Sequence, residues 1–237
     1  MNKVLSIIQA RMNSTRLPGK VLKKIGKITV LEYMINRAKR MQNIDKLVVA
    51  TSLNKCDEEI VKVCQNLGIE TFRGDEHDVL SRFFFAAKKY RSNHVLRLTA
   101  DCPMFDPDVA DEIIKLYFEK QVDYCSNTVD RTFADGLDVE VFSFNVLTDA
   151  FYNANCPELR EHVTLFFNGK IKRKKNSTYQ YKYIEDFKKL RLTLDTKKDF
   201  EYISRIIKNL PLDYRWRDIV NLYKKSPELF LIENKYE

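Results

Sequence analysis

The chain has 237 residues, 44% of them hydrophobic and 31% charged, without a long low-complexity tract or a Pro/Gly/Ser-rich linker, which excludes a disordered or collagen-like protein and predicts one domain over 1–237. Its formal net charge of +8 favours polyanionic partners but does not choose among nucleic acid, anionic membrane and nucleoside triphosphates. Five cysteines without a C-x-x-C pair support neither a disulfide framework nor a zinc knuckle, and no signal-peptide pattern or run of eighteen apolar residues points to export or membrane spanning, so a cytoplasmic protein is expected.

Short β-branched runs alternate with amphipathic helical stretches, the mark of an α/β fold with a largely parallel sheet. Val4, Leu5, Ile7 and Ile8 make the first strand. Thr29 and Glu32 form a capping box, and Leu31, Met34, Ile35, Ala38 and Met41 give the apolar face of the helix behind it. A strand is expected at 46–51, then a helix capped by Asp57 and ended by Gly68, a strand at 69–72, and a helix started by Asp78. The strand at 94–99 is followed by Asp106-Pro107, an N-cap acceptor ahead of a residue whose missing N–H costs nothing at the first helical position. Strands at 122–125, 137–142 and 190–194 and helices at 146–153 and 159–167 complete the pattern, with a mainly helical tail from about 197.

The stretch QARMNSTRLPGK, from Gln9 to Lys20, carries the strongest chemical signal. An apolar strand runs into a loop with Arg11, Arg16 and Lys20, the hydroxyls of Ser14 and Thr15, a Pro18-Gly19 turn and no acidic residue. Backbone N–H groups at the carboxyl end of such a strand converge on phosphate oxygens, Arg supplies paired planar donors, and Lys a mobile point charge. A Walker loop is absent, because Pro18 precedes Gly19-Lys20 and Val21 follows it. Asp101 and Asp195 each end an apolar strand, where an open α/β sheet places its ligand, and Asp138 and Glu140 alternate so as to share one face. Two carboxylates converging beside the cationic loop would hold Mg²⁺ together with phosphate oxygens and water. For Asp195 the competing role is a helix N-cap, since a helical stretch follows. Cys102, beside Asp101, lacks an evident His or Asn partner and is read as small packing rather than a nucleophile.

In order along the chain, QARMNSTRLPGK, LRLTADCPMFDP, GLDVEVF, REHVT and LTLDTKKDF resemble the cytidylyltransferase family that includes the spore-coat polysaccharide biosynthesis F proteins, with CMP-Kdo and CMP-sialate synthetases as more distant relatives. The resemblance spans about 4–200. It implies a mixed, mostly parallel sheet flanked by helices, of the glycosyltransferase-A-like, nucleotide-diphospho-sugar transferase type. It also implies Mg²⁺-dependent transfer of CMP from CTP to a sugar, acidic sugar or sugar phosphate, with release of pyrophosphate. On that pattern Arg16 and Lys20 belong to the triphosphate loop with Arg11 and Ser14, and Asp101 and Asp195 hold the metal. Gln9, Ala10 and Thr99 flank the loop. Arg73, Gly74, Asp78 and Arg82, in FRGDEHDVLSR, match a segment near the nucleotide, and Thr51 stands where a loop can donate to the base. Asp138, Glu140, Arg160, Glu161 and His162 fall in the acceptor region, with Glu140 a carboxylate able to activate a hydroxyl acceptor. Where CMP-Kdo enzymes carry Gln-Gly-Asp-Glu-Pro, this chain has Thr99-Ala100-Asp101-Cys102-Pro103, which argues against Kdo itself as acceptor.

A glycosyltransferase consuming a sugar nucleotide shares the expected fold and would use an Asp-x-Asp metal motif, a form that Asp106-Pro107-Asp108 has. A non-enzymatic nucleotide or nucleic-acid binder would use the basic run at 170–175, but it would leave the strand-end carboxylates idle. Nucleic acid and membrane are therefore not expected partners, and the apolar region 142–151 is the expected surface for a homodimer.

Overall fold

The computed structural model describes residues 4–168 and 178–231. The basic run at 170–175 lies outside them.

Strand β1, Val4–Gln9, sits near the centre of a seven-stranded sheet and shows why the sheet is covered on both sides. Its alternating side chains face two separate apolar clusters, Val4 and Ile8 one, Leu5 and Ile7 the other, and all four are essentially inaccessible to water. After β1 come a small antiparallel ribbon, β2 (Lys24–Ile25) and β3 (Ile28–Thr29), and helix α1 (Val30–Ala38), whose Thr29–Glu32 capping box forms as its residues predict. Strand β4 (Lys46–Ser52), helix α2 (Glu58–Asn66), strand β5 (Glu70–Gly74), helix α3 (Val79–Lys89) and strand β6 (His94–Thr99) follow. Helix α4 is Pro107–Glu119, β7 Tyr124–Ser126, β8 Glu140–Ser143, α5 Phe144–Asn153, α6 Pro157–Glu161 and β9 Thr178–Gln180. The tail contributes α7 (Lys197–Lys208) and α8 (Trp216–Lys225).

The sheet order is β5-β4-β1-β6-β8-β7-β9. The first four strands are parallel, β8 is antiparallel to β6 and to β7, and β9 is parallel to β7. Because the chain leaves β1 for β4 on one side and later reaches β6 on the other, a crevice opens beyond the carboxyl end of β1, where β1, β4 and β6 release their loops.

Four expectations change. Residues 190–194 form no ladder: their alternation is real, with Leu190, Leu192 and Leu194 buried, but a single bridge from Arg191 to Asp135 is their only sheet-like contact among the described residues. The helix expected at 159–167 stops at Glu161 and continues as turns. Asp57 makes no side-chain cap on α2, because its carboxylate is committed elsewhere. In 142–151, Phe142, Val146, Leu147 and Ala150 are buried against α3, so most of the apolar surface assigned to pairing is used inside the chain. The Asp106-Pro107 start behaves as expected: Asp106 accepts from the Asp108 and Val109 amides and also from the Trp216 amide, which ties α8 to the start of α4. That buried capping carboxylate removes the Asp-x-Asp reading.

Candidate active site

A cavity of about 390 Å³ fills the crevice at the end of β1. The loop leaving β1 lines it with Gln9, Ala10, Arg11, Ser14, Thr15, Arg16 and Lys20, and is held in shape by local bonds: the amides of Ser14 and Gly19 both donate to the Met12 carbonyl at 2.9 Å. A longer-range brace comes from Asp57. Its carboxylate accepts from the Met12 amide at 2.8 Å, the Thr51 hydroxyl at 2.8 Å, and the Ser52 amide and hydroxyl at 2.9 and 2.6 Å, pinning the loop to the end of β4. Burial alone pushes the Asp57 carboxyl up, but the bonds from Ser52, Met12 and Thr51 outweigh it and hold it below the usual 3.8.

The two strand-end aspartates converge on Lys20. The Leu194 amide donates to the Asp101 carbonyl at 2.8 Å, bringing the two chain segments side by side. Lys20 Nζ then donates to Asp101 Oδ2 at 2.7 Å, Asp195 Oδ1 at 2.9 Å and the Leu194 carbonyl at 2.9 Å, so each of its three N–H groups has an acceptor. Burial works against the Lys20 charge, but Asp101 and Asp195 outweigh it and hold the ammonium above its usual 10.5. Burial likewise pushes Asp195 up, and hydrogen bonding and attraction from Lys20, then Arg191 and Arg16, bring it below 3.8. The cap of α7 is Thr196, whose hydroxyl accepts from the Asp199 amide, so Asp195 is not spent on capping. Asp199 instead accepts from the Asp195 amide at 3.0 Å and fixes its backbone.

A divalent ion fits this pair. Both carboxylates place an oxygen within hydrogen-bond reach of the one Lys20 ammonium, so two hard anionic oxygen donors meet at the same point of the cavity. Among the described residues no cluster of three or more His, Cys, Asp or Glu forms a closed cage. Two carboxylates facing an open cavity are the donor set of a site completed by phosphate oxygens and water.

Two further elements shape the cavity. Arg82, on α3, is 2% exposed, and its Nε and Nη1 are buried without a hydrogen-bond partner at the cavity wall. Burial, with repulsion from Arg11 behind it, lowers it to about 10. Gly74 makes room for it: a Cβ there would stand 2.7 Å from Arg82 Cγ. On the opposite wall Arg131 grips both oxygens of Asp138, and Arg191 bonds Asp135 at 3.0 Å and the second oxygen of Asp195. The loop carrying Asp135 and Asp138 packs tightly on 190–193 through Gly136, at φ 106°, where a Cβ would meet the Leu192 backbone at 2.5 Å.

The cavity thus gathers Gln9, Ala10, Arg11, Ser14, Arg16, Lys20, Arg82, Thr99, Asp101, Asp138, Glu161, His162 and Asp195 of the residues marked from sequence. It does not gather the others. Thr51 is fully buried with its hydroxyl on Asp57, and Arg73 spends its guanidinium on Glu58 and on the Ser52 and Asn54 carbonyls. Gly74 acts through Arg82. Asp78 caps α3 and pairs with Arg160; both line a neighbouring cavity that shares Glu161 with the main one. Glu140 is 4% exposed, and its oxygens are engaged by Arg97 and by the Tyr124 hydroxyl at 2.7 Å, so it does not meet an acceptor. Three polar residues not singled out from sequence line the cavity, Arg97, Asp135 and Thr193. A lone charge inside the apolar run HVLRLT was the available signal for Arg97. Cys102 packs against the Thr99 hydroxyl at 3.1 Å, and burial raises its thiol well above the usual value, which agrees with packing rather than nucleophilic attack.

An open, mostly parallel sheet with a cationic loop after its first strand and an aspartate pair opposite defines a nucleotidyltransferase-type site. Residues 5–225 match the model of the family described as Cytidylyltransferase, and the chain belongs to that family. It is 32% identical to the spore coat polysaccharide biosynthesis protein SpsF of Bacillus subtilis, covering 96% of this chain and 97% of SpsF. The solved structure of a cytidylyltransferase from Leptospira borgpetersenii superposes over the whole of both chains with a TM-score of 0.92 at 32% identity. A CMP:2-keto-3-deoxy-manno-octonic acid synthetase, solved with CTP, shares the fold at a TM-score of 0.66 and 14% identity, covering 87% of this chain and 99% of that one. The fold is therefore the nucleotide-diphospho-sugar transferase type expected from the motifs. No helix among the described residues is long and apolar enough to cross a membrane.

Proposed function

We propose that this protein transfers CMP from CTP to a sugar-type acceptor, in a Mg²⁺-dependent reaction of surface-polysaccharide or glycan biosynthesis in the cytoplasm. The observation that carries the reading is the meeting of Asp101, Asp195 and Lys20 in one cavity with Arg11, Arg16 and Arg82. Family membership and the likeness to SpsF support the chemistry and its setting.

The triphosphate lies against the loop after β1. Arg16 and Lys20 neutralise charge on the β- and γ-phosphates, and Arg11 and Ser14 extend the same cradle. Arg82, whose Nε and Nη1 have no protein partner, donates to nucleotide oxygens. Asp101 and Asp195 would hold Mg²⁺, which when bound there offsets charge at the α-phosphate. The acceptor oxygen, already anionic in a sugar phosphate or passing its proton to water in a hydroxyl acceptor, forms a bond to the α-phosphorus while the α–β phosphoanhydride bond breaks, and pyrophosphate leaves with that electron pair toward Arg16 and Lys20. Positioning and preorganised charge accomplish most of this. Asp138, held by Arg131, with Glu161 and His162, faces the acceptor.

The test is pyrophosphate release from CTP with Mg²⁺ across a panel of sugars, acidic sugars and sugar phosphates, alongside thermal shifts with the four nucleoside triphosphates. Metal-dependent release with a CTP-selective rise in melting temperature supports the reading. Equal shifts with all four nucleotides and no release with any acceptor reject it.

A further inference from the structure

Lys20 stands between the two carboxylates that the proposed function gives to Mg²⁺. Its ammonium takes one oxygen from each aspartate, and Asp195 Oδ1 is also 3.0 Å from Arg16 while the other oxygen is taken by Arg191. Both aspartates are thus engaged by protein cations before any ligand arrives. Bare of a cation, two carboxylates this close repel one another, so the pair is held by Lys20 or by something that replaces it. The Lys20 side chain is only 10% exposed, yet it sits at the wall of an open cavity beside Arg11, Arg16 and Arg82. A four-carbon stem lets the ammonium swing toward an anion held by those arginines.

We propose that Lys20 is a resident counter-ion that keeps the Asp101–Asp195 pair closed to divalent metal in the nucleotide-free chain, and that phosphate binding draws its ammonium away, so that nucleotide and metal load together. This rests on the cytidylyltransferase reading for the identity of the phosphate and for the metal at the aspartate pair. Binding of metal ahead of nucleotide is disfavoured by competition with an intramolecular cation that mass action cannot dilute. Loading is reciprocal: whatever factor nucleotide adds to metal affinity, metal adds to nucleotide affinity.

The experiment is Mn²⁺ titration of the full chain without nucleotide, followed by loss of the free-ion EPR signal. Wild type should bind weakly and Lys20→Met at least about tenfold more tightly, since a neutral side chain of similar length frees the carboxylates. Lys20→Arg should stay weak, and Lys20→Met combined with Asp101→Asn should lose the gain. Wild type binding Mn²⁺ as tightly as a folded Lys20→Met would overturn the proposal. A second measurement needs no variant: the Lys20 Cε resonance should hold still with Mg²⁺ alone and move with CTP and Mg²⁺, and movement with Mg²⁺ alone overturns the idea. A gain in Mn²⁺ affinity for Lys20→Met in a protein that releases no pyrophosphate supports the counter-ion role while rejecting the proposed reaction.

Discussion

The two walls of the cavity are built from similar residues in different states of completion. On the wall of Asp135 and Asp138 every named charge has a partner: Arg131 holds Asp138 at both oxygens, and Arg191 holds Asp135 and Asp195. On the wall of α3 and the first loop, Arg82 keeps buried Nε and Nη1 without a hydrogen bond, and Arg16 is 62% exposed at its side chain with a single aspartate contact. An unpaired buried cation is costly unless a ligand completes it, whereas a closed ion-pair network holds its shape alone. One wall keeps hydrogen-bond donors to spare, and the other is closed on itself.

That contrast can be broken most severely at the aspartates between the walls. Asp101→Ala should lower kcat on the order of 10²- to 10³-fold and abolish the CTP-selective thermal shift, because it removes one of the two carboxylates proposed to hold Mg²⁺ and strands Lys20. Arg82→Met should raise the KM for nucleotide by about 10- to 100-fold, the worth of one or two charge-assisted hydrogen bonds. Its melting temperature should nevertheless stay level or rise; a clear fall would mean that Arg82 serves the folded chain rather than the ligand. On the completed wall, Arg191→Met should lower kcat by about tenfold through a loosened Asp195, with a fall in stability that Arg82→Met does not share. Urea melts and steady-state kinetics on both variants separate the walls.

Asp57→Asn probes the brace rather than either wall, and should cost about 1–3 kcal/mol near neutral pH. The folded Asp57 carboxyl lies below its usual 3.8, so its stabilisation is present above that value and fades as pH falls through the folded pKa. The gap between wild type and Asp57→Asn should therefore begin to narrow as pH falls below about 3.8 and close once the pH is under the folded pKa, and a gap that stays unchanged throughout acid unfolding would refute the assignment. The smallest expected change is Gly74→Ala, whose Cβ would crowd Arg82 Cγ and raise KM a few-fold, by about 1 kcal/mol at most.

The parts of this fold that were legible are those whose cause is local. The Thr29–Glu32 box, the Asp78 and Asp106 caps and the β6 limits at His94 and Thr99 come from residues within a turn of each other. What was hidden depends on partners far along the chain. Asp57 reads as a cap, because nothing nearby reveals that Met12, 45 positions away, needs its oxygen. Glu140 alternates with Asp138, and the family resemblance puts both in the acceptor region, yet register sets Glu140 opposite Arg97 of β6 and buries it. Leu190, Leu192 and Leu194 alternate like a strand because one side faces the core, although the Leu192 and Leu194 amides donate to the carbonyls of Asp135 and Asp101 in loops rather than to a strand. In the site, the cationic loop and the two aspartates were legible as a set because each follows an apolar run. Asp135 was not, since it is marked only by the groups it meets in space, and Arg97 showed only as a lone charge in the apolar run HVLRLT, without a hint of its partner.

The Asp57 brace has one more consequence. With the Met12 amide fastened to it, and Asn13 and Asn54 both donating to Glu76, the loop proposed to cradle phosphate is tied to the end of β4 at several points. The entropy of arranging that backbone is lost once, when the chain folds, and not again at each encounter with substrate. Loosening the brace should thus appear chiefly as slower productive capture and a less favourable binding entropy, with the reacting groups themselves untouched.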